Sequence, residues 1–175
     1  MTKPAPPSAA LPIAYVLLRI LIVVNWLMVP VILALLLVLP NERWIMGAFH
    51  LSPSPDAERL VMGMRAIAAL GLVATPLNYV VLKRLLSIVE TVRAGDPFVP
   101  TNATRLQTIA WVLLTLQVLS LGIGAIAKAI STPAHPLKLD AGFSITGWLA
   151  VLLTFLLARV FAEGTRMRED LEGTV

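Results

Sequence analysis

The sequence predicts an all-α protein that crosses a membrane with four helices, and three observations support this fold class. Of the 175 residues, 58% are hydrophobic and only 14% are charged, whereas soluble domains are about 45–50% apolar and about 25% charged. Four apolar stretches each reach the roughly 20 residues that a helix needs to cross the hydrocarbon of a bilayer. The chain contains no cysteine, which excludes disulfides, thiolate metal sites and thiol chemistry.

The first apolar stretch, residues 11–39, is predicted to be an uncleaved transmembrane helix. It is longer than the apolar core of a signal peptide, and no small-x-small cleavage site follows it. The preceding arm, residues 1–10, is rich in proline and alanine and is expected to be disordered. Residues 11–175 are therefore expected to form a single domain.

The second stretch, residues 60–82, continues into a pattern in which Leu85, Val89 and Val92 recur at helical spacing beside charged side chains. This pattern predicts an amphipathic extension of the same helix. The extension is expected to end at the Gly-Asp-Pro sequence of residues 95–97, which is a strong stop signal. About 12 of its residues would then extend beyond the membrane into the cytoplasm.

The third and fourth stretches cover residues 106–127 and 143–162. An apolar stripe continues past the fourth stretch and predicts a second extension into the cytoplasm; it comprises Leu157, Val160, Phe161, Met167 and Leu171. The two extensions can pack on each other, or part of their surface can bind a cytoplasmic protein. The sequence leaves both alternatives open.

Several polar or small residues lie inside the apolar stretches. Arg19 and Arg65 each cost about 2.5–3.5 kcal/mol at the centre of a span, and each Leu or Ile returns about 0.3–0.6 kcal/mol, so both spans are expected to insert. The two arginines can extend to the nearer membrane surface, or they can form a buried contact that senses an anionic lipid or ligand. The available polar partners are Asn25, Thr75, Asn78 and Gln117. Two pairs of small residues four apart are expected to allow close helix packing, Gly71 with Thr75 and Ser120 with Gly124.

Lysine and arginine are unevenly distributed between the two sides of the predicted membrane. The N-terminal arm, the middle loop and the C-terminal tail carry eight of them, and the other two loops carry four. The side with more lysine and arginine normally faces the cytoplasm. This bias predicts a multi-pass protein of the bacterial inner membrane with both termini in the cytoplasm.

Two segments on the predicted cytoplasmic side carry distinctive motifs. The middle loop and the acidic C-terminal helix with its Thr-Val end supply Gly95, Pro97, Phe98, Asn102, Glu169, Asp170, Glu172, Thr174 and Val175. These segments resemble the YoaS-like family, a domain-of-unknown-function family of small, four-helix bacterial membrane proteins. Its members are often encoded beside a small helix-turn-helix regulator of the Cro/CI type. The resemblance therefore implies a membrane-linked regulatory pair.

The middle loop also has a structural interpretation. Gly95 is expected to supply a positive φ angle at the end of the second helix, and Pro97 is expected to prevent that helix from resuming. Asn102 or Thr101 is expected to cap the third helix. Phe98 lies between two prolines and can instead bind a partner. The last four residues are either a partner contact or a solvated tail.

No pattern for catalysis or cofactor binding is present in the sequence. All ten acidic residues lie in loops, at interfaces or in the helix extensions, whereas proton-coupled transport usually needs a carboxylate within the membrane. His50 and His135 lie in predicted outer loops at a spacing that matches no known metal site. We therefore expect no enzymatic activity, no metal and no cofactor.

The sequence favours a non-enzymatic membrane component that binds a cytoplasmic partner, such as a small helix-turn-helix regulator. The expected partner-binding residues are Pro97, Phe98, Asn102, Glu169, Asp170, Glu172, Thr174 and Val175. Membrane lipid is a further expected partner, a homo-oligomer stays open, and no direct contact with nucleic acid is expected. The alternatives are a small-solute or lipid transporter, which a continuous polar cavity would favour, and an accessory subunit of a larger membrane complex, which a wide apolar groove would favour.

Overall fold

The computed structural model describes residues 10–38, 47, 55–131 and 141–172. These residues form four long helices, which confirms the all-α class; the helices are α1 (Ala10–Val38), α2 (Pro55–Arg93), α3 (Pro100–Ile130) and α4 (Ile145–Glu172). Each is long and apolar enough to cross a membrane. Each predicted apolar stretch corresponds to one helix. The predicted disordered arm lies outside the described residues, apart from Ala10 at the start of α1.

Helices α2 and α4 both run past the ends of their apolar stretches. α2 contains 39 residues, which is roughly 58 Å at 1.5 Å per residue, whereas the hydrocarbon of a bilayer is about 30 Å thick. The periodic pattern after residue 82 therefore continues the same helix, as predicted. α4 contains 28 residues, or roughly 42 Å, and likewise continues beyond residue 162.

The helices are antiparallel and lie side by side in the order of the sequence. α1 packs on α2, α2 on α3 and α3 on α4, and these are the extensive helix interfaces among the described residues. The arrangement is therefore an open row of four helices. A row of this kind leaves a broad face on each helix, which suits a surrounding of lipid.

The interface between α1 and α2 combines apolar packing with one hydrogen bond between the helices. Val61 and Ala68 of α2 are buried against Ile32 of α1. Asn25 of α1 donates a hydrogen bond from Nδ2 to the backbone oxygen of Thr75 over 3.2 Å. Thr75 itself is buried, in agreement with the prediction that this small residue allows a neighbouring helix to approach.

One apolar cluster joins the second half of α2 to α3 and α4. Its buried members are Leu106, Ile109 and Ala158. The partly buried residues packed against them include Leu85 of α2 and Phe161 of α4. The apolar face of the α2 extension therefore packs within the protein, which was one of the two alternatives for it.

The last part of α3 and the segment just before α4 approach each other through residues with little or no side chain. A Cβ atom added at Gly124 would lie 2.6 Å from the Cα of Gly142, a distance that real Cβ atoms do not reach. The Ser120 hydroxyl accepts a hydrogen bond of 3.2 Å from the Gly142 backbone N–H. The pair of small residues at 120 and 124 therefore allows close helix contact, as the sequence predicts. α4 then begins after Ser144, whose hydroxyl accepts a 3.1 Å bond from the Gly147 N–H and caps the helix.

The face that α4 buries differs from the one its large apolar residues suggest. Its buried residues are Val151, Ala158 and Thr165, which are seven apart. The predicted stripe lies mostly on the exposed side, where Leu157, Val160, Met167 and Leu171 are found. Only Phe161 of that stripe packs into the cluster described above. Within the apolar stretch, where Leu157 and Val160 lie, large apolar side chains facing outward and small ones facing a neighbouring helix are typical of membrane proteins.

Candidate functional site

Contacts between distant residues bring three parts of the chain to one end of the row. The ring of Tyr15, near the start of α1, lies 4.6 Å from the guanidinium of Arg93 at the end of α2. Asp96, in the turn after α2, forms an ion pair with Arg168 near the end of α4. We call this region the loop end. It holds the start of α1, residues 91–105 and the last part of α4, which are the segments predicted to share one side of a membrane.

The turn that ends α2 has the hydrogen bonds of a Schellman motif. Gly95 has a φ angle of +88°, as predicted for this position. Its N–H donates to the Val92 oxygen over 3.1 Å, and the Asp96 N–H donates to the Thr91 oxygen over 3.0 Å. These two bonds satisfy carbonyls that the helix end leaves unpaired, and they direct the Asp96 side chain towards α4.

Helix α3 begins two residues before Asn102, so the capping prediction is wrong. Val99 is the N-cap residue and makes no side-chain capping bond, and Pro100 occupies the first turn. Proline is suited to this position because its missing N–H would have no helical partner there and its φ angle is already helical. Asn102 therefore lies inside the first turn, where its side chain does not cap the helix and can bond elsewhere.

The Asn102 side chain ties the turn to both flanking helices. It is completely buried, with 0% exposure. Its Nδ2 donates to the Thr91 hydroxyl over 2.7 Å and to the Pro97 oxygen over 2.9 Å. Its Oδ1 accepts a 2.8 Å bond from Arg105, whose guanidinium also donates to the Ser87 oxygen over 3.3 Å. Asn102 was expected on a partner-binding surface; because it is buried, it can serve such a surface only by holding the turn in place.

Phe98 is held between the turn and α4 but keeps part of its surface exposed. Its ring lies 5.4 Å from the ring of Phe161, at 37° to it. A Cβ atom at Gly164 would come within 3.0 Å of the Phe98 ring, so the absence of a side chain there makes room for it. Phe98 is nevertheless 42% exposed, so part of its surface is accessible.

The last two turns of α4 carry both apolar and acidic side chains that are exposed. Met167 is 57% exposed and Leu171 is 71% exposed, and the neighbouring Glu169 and Asp170 are also exposed. We call Phe98, Met167, Glu169, Asp170 and Leu171 the docking surface. Of the other residues predicted to bind a partner, Pro97 is half-buried; the Glu172 side chain and Thr174 and Val175 lie outside the described residues.

The structure separates the five polar residues considered as an intramembrane site. Arg19 is exposed, with its guanidinium 4.8 Å from the Tyr15 ring at the loop end. Asn78 donates to the Ala74 oxygen of its own helix over 3.2 Å. Arg65 is half-buried in the first half of α2, away from the loop end.

The remaining two residues of that set lie at different helix interfaces. Asn25 bonds across the α1–α2 interface, as described above, and Gln117 contacts Gly147 between α3 and α4. No single polar cavity therefore unites the five within the described part of the chain. His50 and His135 lie outside the described residues.

Several residues at the loop end were missed by the sequence analysis. Asp96 was interpreted only as part of a stop signal, and its partner Arg168 is 72 positions away, so no local pattern relates the two. Arg105 had a local signal, because it follows Asn102 by one helical turn and side chains at that spacing are neighbours. Tyr15 had none, since an aromatic ring near a membrane surface is common.

Comparisons with known proteins identify one family. A model described as a protein of unknown function (DUF2975) matches residues 40–175, a range that includes α2, α3, α4 and the turn of the loop end. No curated protein and no solved structure matches the chain.

Proposed function

The chain belongs to the DUF2975 family, whose function is unknown, and we propose that it is a non-enzymatic, multi-pass membrane protein that docks or regulates a cytoplasmic partner. The docking surface at the loop end would make the contact. We further propose that the loop end faces the cytoplasm of a bacterium, since the bias of lysine and arginine favours that orientation. Both termini would then lie inside the cell.

The observation that carries this proposal is the composition of the docking surface. Glu169 and Asp170 are exposed at the end of α4, and a charged side chain within hydrocarbon is costly, so this part of the helix belongs in water. Met167 and Leu171 are more than half exposed beside them. Apolar surface at the edge of charged groups is typical of a protein interface.

The rigidity of the turn supports the same proposal. Phe98 reaches the surface from a segment that is fixed by the Asn102 hydrogen bonds and by the ion pair between Asp96 and Arg168. An interface that is ordered before binding loses less conformational entropy when the partner binds.

The resemblance to the YoaS-like family suggests the kind of partner. We propose a small helix-turn-helix regulator, because a DNA-binding protein carries a basic surface that can meet the carboxylates of Glu169 and Asp170. Complementary charge of this kind mainly accelerates and orients association. If the regulator used its DNA-binding face, docking would compete with DNA.

The alternatives from the sequence have less support. A transporter needs a continuous polar path, and the five intramembrane polar residues lie apart from one another in the described part of the chain. An accessory subunit would use a wide apolar groove. Such a groove lies along α4, but one end of it is charged.

A pull-down tests the proposal. The tagged full-length chain and a variant that lacks Arg168 to Val175 are solubilised from native membranes, and co-purifying proteins are identified by mass spectrometry. We expect a small, basic helix-turn-helix protein with the full chain and its loss with the truncated one. Unchanged recovery would refute this docking surface.

A charge-reversal variant gives a sharper version of the same test. Glu169→Lys with Asp170→Lys should reduce recovery strongly at low salt and less at high salt, because the attraction is screened. Glu58→Lys with Glu90→Lys is the matched control, since it changes the net charge by the same amount and both residues are exposed on α2, outside the docking surface. Equal losses in both variants would show that only the net charge matters.

A further inference from the structure

A groove follows one face of α4 and changes character along its length. Its apolar part has a volume of about 580 Å³ and is lined by Trp148, Val151, Leu152, Phe155, Leu156 and Arg159. Its charged part has a volume of about 510 Å³ and lies between α4 and the first turns of α3. Phe155 and Arg159 line both parts, so the two adjoin at this turn of α4.

The apolar part has the dimensions and the surface of a site for a hydrocarbon chain. Leu152 is 60% exposed and Leu156 is 59% exposed along it. Trp111 of α3 stands beside it, with its ring 5.3 Å from that of Phe155 and nearly perpendicular to it. The side chains that line this part offer one charge, the guanidinium of Arg159, and it lies at the end that adjoins the charged part.

The charged part presents both signs of charge in alternation. Arg159, Glu163, Arg166 and Glu169 all line it from α4, and Thr104 and Gln107 line it from α3. Arg159, Glu163 and Arg166 form no ion pair with one another in the described part of the chain. The four charged side chains are exposed and are therefore available to a ligand that carries both a cation and an anion.

The order of these groups along α4 matches the order of groups in one class of lipid. Moving away from the apolar part, the groove offers first the cation of Arg159 and then, one helical turn or about 6 Å further, the carboxylate of Glu163. A zwitterionic phospholipid has the complementary order: its acyl chains are followed by an anionic phosphate and then by a cationic ammonium group. Arg166 and Glu169 repeat the alternation further out.

We propose that this groove binds phosphatidylethanolamine, with an acyl chain on the apolar part, the phosphate at Arg159 and the primary ammonium at Glu163. Phosphatidylglycerol has no cation for Glu163 or Glu169 and would place its negative charge near both. Phosphatidylcholine has a cation without N–H groups, so it cannot donate a charge-assisted hydrogen bond to a carboxylate. This inference shares with the proposed function the membrane location and the side chain of Glu169, which lines the outer end of the groove.

The first experiment uses the unmodified chain. The full-length protein in mild detergent is mixed with equal amounts of four lipids that share the same acyl chains, and bound lipid is counted by native mass spectrometry. The lipids are phosphatidylethanolamine, its N,N-dimethyl derivative, phosphatidylcholine and phosphatidylglycerol. We expect retention to fall in steps with each loss of N–H groups, with about a threefold to tenfold preference for phosphatidylethanolamine over phosphatidylcholine, the range for one charge-assisted hydrogen bond at an exposed site.

Two variants locate the lipid in the groove. Glu163→Gln should bring the retention of phosphatidylethanolamine close to that of phosphatidylcholine. Arg159→Gln should lower the retention of all four lipids, because each has a phosphate. Arg84→Gln and Glu90→Gln are the matched controls, since both residues are exposed on α2 and do not line the groove.

Three outcomes would overturn the inference. Stronger retention of phosphatidylglycerol would indicate a site for an anionic lipid. Equal retention of all four lipids would indicate a detergent-like apolar contact, and an unchanged preference in Glu163→Gln would place the lipid elsewhere. None of these results depends on a protein partner, so a failure here is distinguishable from a failure of the docking proposal.

Discussion

The Asn102 side chain forms hydrogen bonds with three groups in and beside the turn between α2 and α3. They are the Thr91 hydroxyl, the Pro97 carbonyl and the Arg105 guanidinium. The sequence could predict that an asparagine near a helix start is structural, but not that it is buried. Pro100 starts the helix earlier, and the partners of Asn102 become neighbours only when α2 and α3 pack. The φ angle of Gly95 was predictable because a helix end is a local feature.

Replacing Asn102 should destabilise the protein more than replacing an asparagine outside the loop end. In Asn102→Ala the half-buried Thr91, Pro97 and Arg105 each lose one hydrogen bond, and a polar group that is left unsatisfied away from water costs about 1–3 kcal/mol. We expect a clearly lower midpoint of thermal unfolding in detergent micelles. The matched control is Asn78→Ala, because Asn78 is exposed and bonds only within its own helix. Equal midpoints for the two variants would contradict the structural role of Asn102.

At the scale of the helix, the position of each helix in the chain could be predicted from the sequence more accurately than the face that the helix buries. Hydropathy is a local property, so the four apolar stretches and the extension of α2 were predictable. In α4 the large apolar side chains suggested a buried stripe, yet Val151, Ala158 and Thr165 are the buried residues. Lipid solvates leucine as well as a protein core does, so burial of large residues is not favoured within a membrane. Small residues at regular spacing are the more informative signal there.

Replacing glycine by alanine in α3 should lower stability at Gly124, which contacts the segment before α4, but not at Gly122, which faces open space. Gly124→Ala places a Cβ atom against the backbone of Gly142, so α3 and α4 must separate at a cost of about 1–3 kcal/mol. Gly122→Ala is the control on the same helix, because nothing lies within 4 Å of its added Cβ atom and alanine favours a helix. We expect a lower unfolding midpoint for the first variant and an unchanged or higher one for the second. A midpoint for Gly124→Ala at or above that of the unmodified chain would refute the close approach.

For the whole molecule, the antiparallel row brings the start of α1, the turn after α2 and the end of α4 together. That grouping follows from an even number of antiparallel helices, and so the sequence could predict it. The ion pair between Asp96 and Arg168 and the contact of Phe98 with Phe161 were not predictable, because each joins residues far apart in sequence. Which side of the membrane this end faces is a prediction from charge bias alone.

Cysteine labelling measures the orientation directly, because the chain has no cysteine of its own. Ala94→Cys places a thiol at the loop end, and Phe143→Cys places one at the other end, where the side chain is 73% exposed. In intact cells with a permeable outer envelope, a membrane-impermeant maleimide should label only the Phe143 variant. Disrupting the membrane should make both reactive. Labelling of the Ala94 variant in intact cells would reverse the orientation and remove the cytoplasmic docking proposal.

The row of helices also bears on how the protein assembles during synthesis. Each extensive interface joins a helix to the one that precedes it in the chain, so no helix has to wait for a distant segment before it can dock. Contacts between sequence neighbours close short loops and form quickly. The three interfaces can therefore form one after another as the ribosome releases each pair of helices. The ion pair between Asp96 and Arg168 would form last, after α4 has been synthesised.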